Sequence, residues 1–559
     1  MSTKSLVFLG LISTAFGLAT STSHSNLPSC RALPGDAAWP KSHEWAKLNK
    51  TINGNLIATI PEASVCHESS FGTFDSSPVP NSKLHGMWHF PAICPNGVPS
   101  LTHASISAPG DVLSQYFQNY TCVPFTNVSQ NCELGNFPNY VVNVTGVNDV
   151  RGAIAFAKKY NIRIVIKNTG HDYLGKSTGR GSLSLWTHNL KSTEYIPSYS
   201  SPYYKGPAAK LGAGIEGWEA YGLANSTGHR MVGVPVLPSV SSYGTSADNV
   251  LEWEVVTVDG QHLIATPNQN SDLYWALSGG GGGTFAVVLS MTARLHTDSI
   301  VGGTLLSFND SIVGNAAYWE AVGVFHALLP DFLDGGNSFT YSVGKNSLSA
   351  YGTMPGANLT EVNRLLKPFL ADLAHRNITP YNTPQVSPNY YTHFYTYLGP
   401  APYGYDAFYP FTNSRIIPRS LVANSTTNAV VTDLFRNITL VEAFSPFYCD
   451  SFTVATQSHP DNSLHPAWRD GMLLCAPAGS WDWNATPEEM TARDEYAAKT
   501  LQPMMDKATP GGMVYLNEAN HLYADWKESF YGNQVRETAE CQEQVRPTAV
   551  IVCEDGSGK

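Results

Sequence analysis

Apolar and polar positions change rhythm near Tyr140. Before it, up to Asn136, the chain is rich in Pro, Ser and Cys, with one helical stretch over 45–52 and a short strand at 56–60. That texture predicts an irregular lead-in tied by disulfides. From Tyr140 the run Tyr140-Val141-Val142-Asn143-Val144 reads as a strand. Helical spacing then holds over 150–160, behind an N-cap at Asn148 or Asp149, and a β-branched run, Arg163-Ile164-Val165-Ile166, follows. The three elements predict a βαβ unit, the kind that ends in a ligand-holding loop at the carboxyl end of its strand.

That loop occupies 167–181 and leads into a further strand, Ser182-Leu183-Ser184-Leu185-Trp186. Downstream the pattern predicts a strand over 250–258, a turn at Asp259-Gly260, a short helix over 273–277, a glycine run over 279–283 and a buried strand over 285–295. The α/β region closes near His296. Residues 300–505 mix strands and helices with many aromatics, including Tyr390-Tyr391-Thr392-His393-Phe394-Tyr395, and read as a second, substrate-side α+β domain. No internal repeat and no low-complexity tract interrupts the pattern.

Composition narrows the class. With 559 residues, 43% of them hydrophobic, the chain can bury a large core and divides into two or three domains. The formal charge is −11, and the 33 Lys and Arg form no run that would neutralise a phosphate backbone, which argues against a nucleic-acid partner. At the start, Lys4, an apolar stretch over 6–18 and a small-residue site at Gly17-Leu18-Ala19 read as a secretory signal. The stretch falls short of the ~20 residues that span a bilayer, so an anchor helix is the weaker reading and no membrane association is expected once the signal is removed. Sequons at Asn49, Asn119, Asn127, Asn143, Asn225, Asn309, Asn358, Asn377, Asn424, Asn437 and Asn484 fit passage through the secretory pathway and a secreted product. Nine cysteines in that oxidising setting predict disulfides with one left over; Cys122 and Cys132 can close a short loop, and no CxxC pair supports a metal site.

Residues 170–177 match the phosphate-binding pattern G-x-x-x-x-G-K-S, but a true P-loop feeds a helix, whereas here Ser177 leads through Thr178-Gly179-Arg180-Gly181 to another strand. Nucleotide hydrolysis is therefore rejected. The loop still has phosphate-binding character: glycines allow close backbone approach, and successive N–H groups with the Thr169 and Ser177 hydroxyls can cradle a diphosphate. The 279–283 glycines offer a second place for close approach. A glycoside hydrolase would need a carboxylate pair that some spacing singles out, and none does. Tyr391, Tyr395, Tyr405 and Phe408 would suit a sugar or a planar polyketide, though such aromatics more often belong to a core.

The run Asn168-Thr169-Gly170-His171-Asp172-Tyr173, with Gly175-Lys176-Ser177-Thr178-Gly179, resembles the covalent-flavin loop of the berberine bridge enzyme-like oxidases, FAD-linked oxidoreductases of the vanillyl-alcohol-oxidase (PCMH-type) fold. Asp248-Asn249-Val250-Leu251-Glu252, Asp272-Leu273-Tyr274-Trp275-Ala276-Leu277-Ser278, His465-Pro466-Ala467-Trp468-Arg469 and Tyr515-Leu516-Asn517-Glu518-Ala519 resemble fungal members. The resemblance implies an α+β architecture in which a two-part FAD domain holds an inserted substrate domain: signal 1–19, lead-in 20–136, FAD domain 137–298, insert 299–505, and a C-terminal segment 506–559 that returns to the FAD domain and turns atypical after 532. It implies FAD bonded through its 8α carbon to His171, with Thr169, Gly170, Asp172, Tyr173, Ser177, Gly280, Gly281 and Asn517 around the cofactor. It further implies a small-molecule substrate (an alcohol, a sugar or a phenolic or polyketide intermediate), dioxygen as electron acceptor, and Glu518 in the place of a catalytic base that is a tyrosine in many relatives. No metal is implied, and oligomeric state stays open. A secreted flavin-fold binding protein that has lost catalysis is the competing reading, because one stretch is short. After Gly228-His229-Arg230-Met231-Val232-Gly233 the chain passes almost at once to Val234-Pro235-Val236-Leu237-Pro238-Ser239, roughly a dozen residues short of the family pattern. The cysteine that makes a second flavin link in relatives is absent with it, which leaves a single attachment.

Overall fold

The computed structural model describes residues 31–534 apart from 72–90, 102–107, 123–128, 234–239, 400–410 and a few shorter stretches. The signal, the run from Val234 to Ser239, Tyr405, Phe408, Asn127, Asn484 and the segment after 534 lie outside the described residues.

The lead-in is more integrated than its texture predicts. Helix α1 (Ser42–Thr51) buries Trp45 and Leu48, and strand β1 (Leu56–Ala58) pairs antiparallel with β2 (Tyr140–Asn143). Helix α2 (Val147–Tyr160) starts three residues ahead of its expected body, with Gly146 and not Asn148 or Asp149 as N-cap. Asp149 serves the same helix end from within the first turn, accepting from Thr145 N at 2.8 Å and Thr145 Oγ at 2.7 Å. Strands β3 (Arg163–Lys167) and β4 (Ser182–Trp186) complete a four-stranded sheet in the order β1–β2–β4–β3. The βαβ unit exists, but β4 lies between its two strands and pairs parallel with both.

A second, antiparallel sheet follows: β5 (Thr193–Ser200), β6 (Lys205–Gly212), β7 (Val250–Val256), β8 (His262–Ala265) and β9 (Val287–Arg294), in the order β8–β7–β9–β6–β5. Helix α2 fills the space between the sheets, where Val150, Ala153, Ile154 and Ala157 meet Leu183 and Leu185 on one side and Val256, Val287 and Leu289 on the other. Helix α3 (Gly217–Ser226) follows β6 behind a capping box made by Glu216 and Glu219.

The inserted domain is a seven-stranded antiparallel sheet. Its strands are β10 (Val301–Asn309), β11 (Ser338–Val343), β12 (Ser347–Pro355), β13 (Tyr381–Ser387), β14 (Arg415–Pro418), β15 (Phe447–Ser451) and β16 (Gly471–Ala476), in the order β13–β10–β12–β11–β15–β16–β14. Alternation along each strand sends one set of side chains, among them Phe339, Tyr341, Leu348, Cys449 and Cys475, into a core closed by helices 315–334, 359–375 and 425–439. The other set faces away from that core, and Asp450 belongs to it. Tyr391 and Tyr395 pack partly buried against the cluster beneath helix 390–398.

Position 505 does not mark a domain edge: a helix, Gln502–Ala508, runs through it, with Met505 in the core of the insert. The chain leaves that core after Thr509, makes an isolated bridge from Met513 to Ile416, and forms a one-turn helix over Leu516–Glu518. Two disulfides lie among the described residues: Cys122–Cys132, closing the expected short loop, and Cys449–Cys475, joining β15 to β16. Among the described residues no helix is long and apolar enough to cross a membrane.

Candidate active site

The loop after β3 is shaped from within. Asp172 accepts from Leu174 N at 2.9 Å, Ser177 N at 2.7 Å and Ser177 Oγ at 3.1 Å, so its carboxylate is the hub around which the loop winds. Ser177 is correspondingly buried, its hydroxyl and amide turned toward Asp172. Gly170 holds φ at +114° and Gly175 at +69°, conformations that a β-carbon would strain. At Gly175 a β-carbon would also come within 2.5 Å of the Phe117 ring. No helix follows Ser177; the chain runs into β4, which removes the P-loop reading on geometry.

His171 keeps open surface although protein surrounds it on most sides, and this desolvation pushes its pKa down to about 4. Desolvation thus keeps the imidazole in its neutral form, the form that can bond to carbon. Lys176 shares both features: open surface, and an ammonium pushed down by desolvation against the pull of Asp172. Thr169 and Tyr173 are half-buried in the same loop.

Glycines 279–283 link this loop to the C-terminal segment. Helix α4 (Ser271–Gly280) kinks at Ser278 and Gly279, and a β-carbon on Gly279 would lie 2.3 Å from Leu464 N. Gly280 packs on Phe285 and Ser463, Gly281 on Leu516, and Gly283 on Ile166 of β3. Leu174 of the flavin-type loop joins Leu516, Val514, Ala519 and Phe530 in one apolar cluster. The glycines are thus contact points, where a strand end, a loop and the turn carrying Glu518 come together.

In that turn the Asn517 amide donates to the Tyr515 hydroxyl at 2.7 Å, and the Glu518 carbonyl accepts from Ser414 N. The Glu518 carboxyl is pushed up to about 7, first by burial and then by the charge of Asp450. Asp450 itself is pushed up to about 7 by burial, against a hydrogen bond from Thr340 across the β11–β15 ladder. Tyr515 is pushed up to about 12. The sequence reading missed Asp450 and did not single out Tyr515. The signal for Asp450 was one ionisable residue in the strand Phe447-Tyr448-Cys449-Asp450-Ser451, too common a feature to stand out.

Two of the stretches compared above with fungal oxidases prove to be partners. Arg469 donates to both carboxylate oxygens of buried Asp248 at 2.7 and 2.8 Å, and Asn462 adds a third bond at 2.8 Å. This pair fastens the connection between β15 and β16 beside the glycine run. Among the described residues no cluster of His, Cys, Asp or Glu has the arrangement of a metal site. The donor set instead fits a flavin dinucleotide: positive-φ glycines, a neutral crevice histidine, a cation beside it and a carboxyl near neutrality.

Comparison with known proteins bears on this arrangement. No protein-family model matches the chain. The chain is 67% identical to the VAO-type flavoprotein oxidase VAO615 of Thermothelomyces thermophilus, across all of this chain and 97% of that one. That alignment runs to 573 positions against 559 residues here, so the relative has positions this chain lacks, about as many as the shortfall read after Gly233. The bifunctional decalin synthase calF of Penicillium decumbens is 41% identical over 95% of this chain and 93% of its own. Among solved structures, the VAO-type flavoprotein MtVAO615 from Myceliophthora thermophila C1, crystallised at pH 5.0, superposes with a TM-score of 0.87 at 69% identity, over 93% of this chain and 96% of that one. A glucooligosaccharide oxidase from Acremonium strictum, described as carrying a 6-S-cysteinyl, 8α-N1-histidyl FAD, shares the fold at a TM-score of 0.60 and 17% identity, over 74% of this chain and 90% of its own. A neutral histidine in a glycine loop and relatives of this closeness lead to one conclusion: the chain belongs to the VAO-type, berberine bridge enzyme-like flavoprotein oxidases, and is an FAD-dependent oxidoreductase.

Proposed function

We propose that the protein is a secreted oxidase that takes a hydride from a C–H bond of a small alcohol, sugar or phenolic secondary-metabolite intermediate, with FAD bonded to His171 alone. The observation that carries this reading is the juxtaposition of Glu518 with the His171 loop through the shared Leu174–Leu516 cluster, in a setting that holds the Glu518 carboxyl at about 7. When bound, the flavin supplies a hydride acceptor at N5 and passes two electrons to dioxygen, which leaves as hydrogen peroxide.

The protein's own groups supply the rest. Gly170 and its neighbours let the backbone approach the dinucleotide, with Lys176 near its phosphates. Glu518, as carboxylate, accepts the substrate hydroxyl proton, and a pKa near neutrality makes it both available and strong enough as a base. Asp450 keeps that pKa high by opposing a second negative charge. The Tyr515 hydroxyl, tied to Asn517, orients the same turn. The open face of the seven-stranded sheet, with Thr340 and Asp450 on it, forms the substrate side. Secretion is supported by the two disulfides and the leading apolar stretch. The names of the two relatives compared above, an oligosaccharide oxidase and a decalin synthase, mark the two substrate classes to try first.

The test is a visible spectrum of the purified protein before and after acid precipitation, with peroxide release measured over panels of oligosaccharides and phenolic or polyketide alcohols. Flavin absorbance that stays with the pellet and is lost from the pellet in His171→Ala is the expected result. Flavin released by acid from the unsubstituted protein would refute the covalent part; peroxide from neither panel would refute the substrate classes.

A further inference from the structure

The loop that carries His171 is braced from outside by the lead-in. Its start is held where Lys167 Nζ donates to the Ala108 carbonyl, and its far end where Thr178 Oγ1 donates to the Asn136 carbonyl at 2.9 Å. A β-carbon on Gly181, the last residue of the loop, would lie 2.6 Å from Leu33 Cδ2. Midway, one on Gly175 would come within 2.5 Å of the Phe117 ring. Bracing matters because the loop holds four glycines at positive φ, Gly170, Gly175, Gly179 and Gly181, each adding backbone freedom that must be lost when a ligand is held. Asp172 ties residues 172–177 into one unit, and Phe117 presses on that unit from the lead-in.

A strained turn aims Phe117. It lies in the helical turn Gln115–Gln118, and the next two residues, Asn119 and Tyr120, hold φ at +69° and +54°. Residues with side chains keep to this region only where their surroundings impose it. Here Gln118 and the Cys122–Cys132 disulfide impose it. Gln118 is fully buried; its Oε1 accepts from Thr121 N at 2.8 Å and Cys122 N at 3.3 Å, and its Nε2 donates to Thr121 Oγ1 at 2.6 Å and the Glu133 carbonyl at 3.3 Å. The disulfide joins the two limbs beside the point where Glu133 N donates to the Thr121 carbonyl at 3.0 Å. The same turn reaches the C-terminal segment. Tyr116 and Phe117 both lie against the His521 ring, at centroid distances of 4.6 and 5.1 Å, and His521 stands three residues after Glu518. Asp494 holds His521 in turn, 3.5 Å from Nδ1, and its other carboxylate oxygen accepts from Asn520 at 2.7 Å. Phe117 is thus wedged between the His171 loop and the segment that carries Glu518.

We propose that Phe117, held by the Cys122–Cys132 loop, is a positioning residue that presets the His171 loop for FAD, so that closing this disulfide readies the chain to take up its cofactor. The proposal rests on the flavin-loop reading above and adds the element that fixes the loop's shape. Phe117 acts through Gly175. Closure is a two-electron oxidation: the two thiols lose two protons and two electrons to a partner disulfide, protein or small-molecule, which leaves as two thiols. With the disulfide open, Asn119 and Tyr120 relax out of the left-handed region, the ring of Phe117 leaves Gly175, and the four glycines regain their freedom.

The experiment uses the full chain secreted from a eukaryotic host. FAD affinity is read by flavin fluorescence in the His171→Ala background, where flavin dissociates freely, and flavin content is read in parallel in chains that keep His171. Phe117→Ala is expected to weaken FAD binding about tenfold, the upper end of what one aromatic contact contributes, and Phe117→Tyr, which keeps the ring, to restore most of it. Cys122→Ala with Cys132→Ala is expected to reproduce the loss. Gly175→Ala, which puts a methyl group where the ring now lies, should weaken binding several-fold less in the Phe117→Ala chain than beside Phe117 itself. A merely structural role would show no such coupling, and would lower the urea midpoint of the FAD-free chain while leaving the affinity of the folded protein unchanged. Unchanged affinity in Phe117→Ala, or losses from Phe117→Ala and Gly175→Ala that simply multiply, overturns the proposal. Undiminished affinity in the double cysteine variant overturns the role of the disulfide. A folded, unsubstituted chain that carries no flavin refutes the flavin-loop reading itself, and is told apart because it precedes any change at Phe117. Should Phe117→Ala fail to fold, Phe117→Leu and the double cysteine variant carry the test, and undiminished affinity in both overturns the proposal.

Discussion

Glu518 needs two things to act as a base: a carboxylate form at working pH and enough basicity to hold a proton. A pKa of about 7 balances them, and the structure traces it to burial first and to Asp450 second. Glu518→Gln is expected to lower kcat by two orders of magnitude or more, roughly the usual worth of a general base, with flavin content unchanged. The profile of kcat/KM against pH should rise through about 7 in the unsubstituted enzyme. Asp450→Asn removes the opposing charge, so the Glu518 carboxyl ionises more readily and the rising limb moves to lower pH. A limb that stays in place would show that burial alone sets the Glu518 value. Because the two carboxyls interact, the limb reports the pair and not either residue alone.

At the scale of elements, the buried Asp248–Arg469 pair joins the turn ahead of β7 to the connection between β15 and β16 of the substrate sheet. Asp248→Asn leaves Arg469 without its counter-charge in a mostly buried position and should destabilise the protein by about 3 kcal/mol or more, read as a lower urea midpoint at unchanged slope. The residues of this pair were visible as two separate stretches, at 248–252 and 465–469, but nothing in either said that they touch. Local elements were legible for the same reason that long-range pairs were not. The periods of Val150, Ala153, Ile154 and Ala157 and of the β-branched run at 163–166 are properties of neighbours in sequence, and α2 and β3 follow them. Strand order is not such a property, so β4 entering between β2 and β3 left no trace in the pattern. The start of α2 was misjudged because Asp149 can satisfy an N-terminal amide from inside the first turn as well as from the cap. In the site, the glycine loop, His171 and Glu518 were readable as motifs. Asp450 gains its importance only from the folding that brings its charge to bear on Glu518.

Across the whole molecule, histidines outnumber carboxyls among the groups most displaced by burial. His296 and His521 are pushed down to about 4 and His326 and His393 to about 3, all by desolvation. Each binds fewer protons folded than unfolded below pH ~6.5, so each contributes a loss of stability as pH falls from there toward its folded value. Glu518, Asp450 and Asp494, raised to about 7, 7 and 6 by burial, work in the opposite sense between about pH 4 and 7. With His171, likewise near 4, five histidines against three carboxyls leave net proton uptake on unfolding near pH 5. The melting temperature should therefore fall from pH 6.5 to 4.5, and calorimetry showing a rise over that range would contradict the balance.

The packing of Leu174 against the cluster of Val514, Leu516, Ala519 and Phe530 also sets a timetable. The loop with His171 emerges from the ribosome several hundred residues before the turn with Glu518, a lag on the order of tens of seconds at ordinary synthesis rates. During that interval Leu174 lacks the cluster it packs against in the finished fold. On the covalent reading proposed above, nascent chains halted ahead of Leu516 are expected to carry no acid-stable flavin however long they wait, and the compartment that supplies FAD is expected to be the one the completed protein reaches.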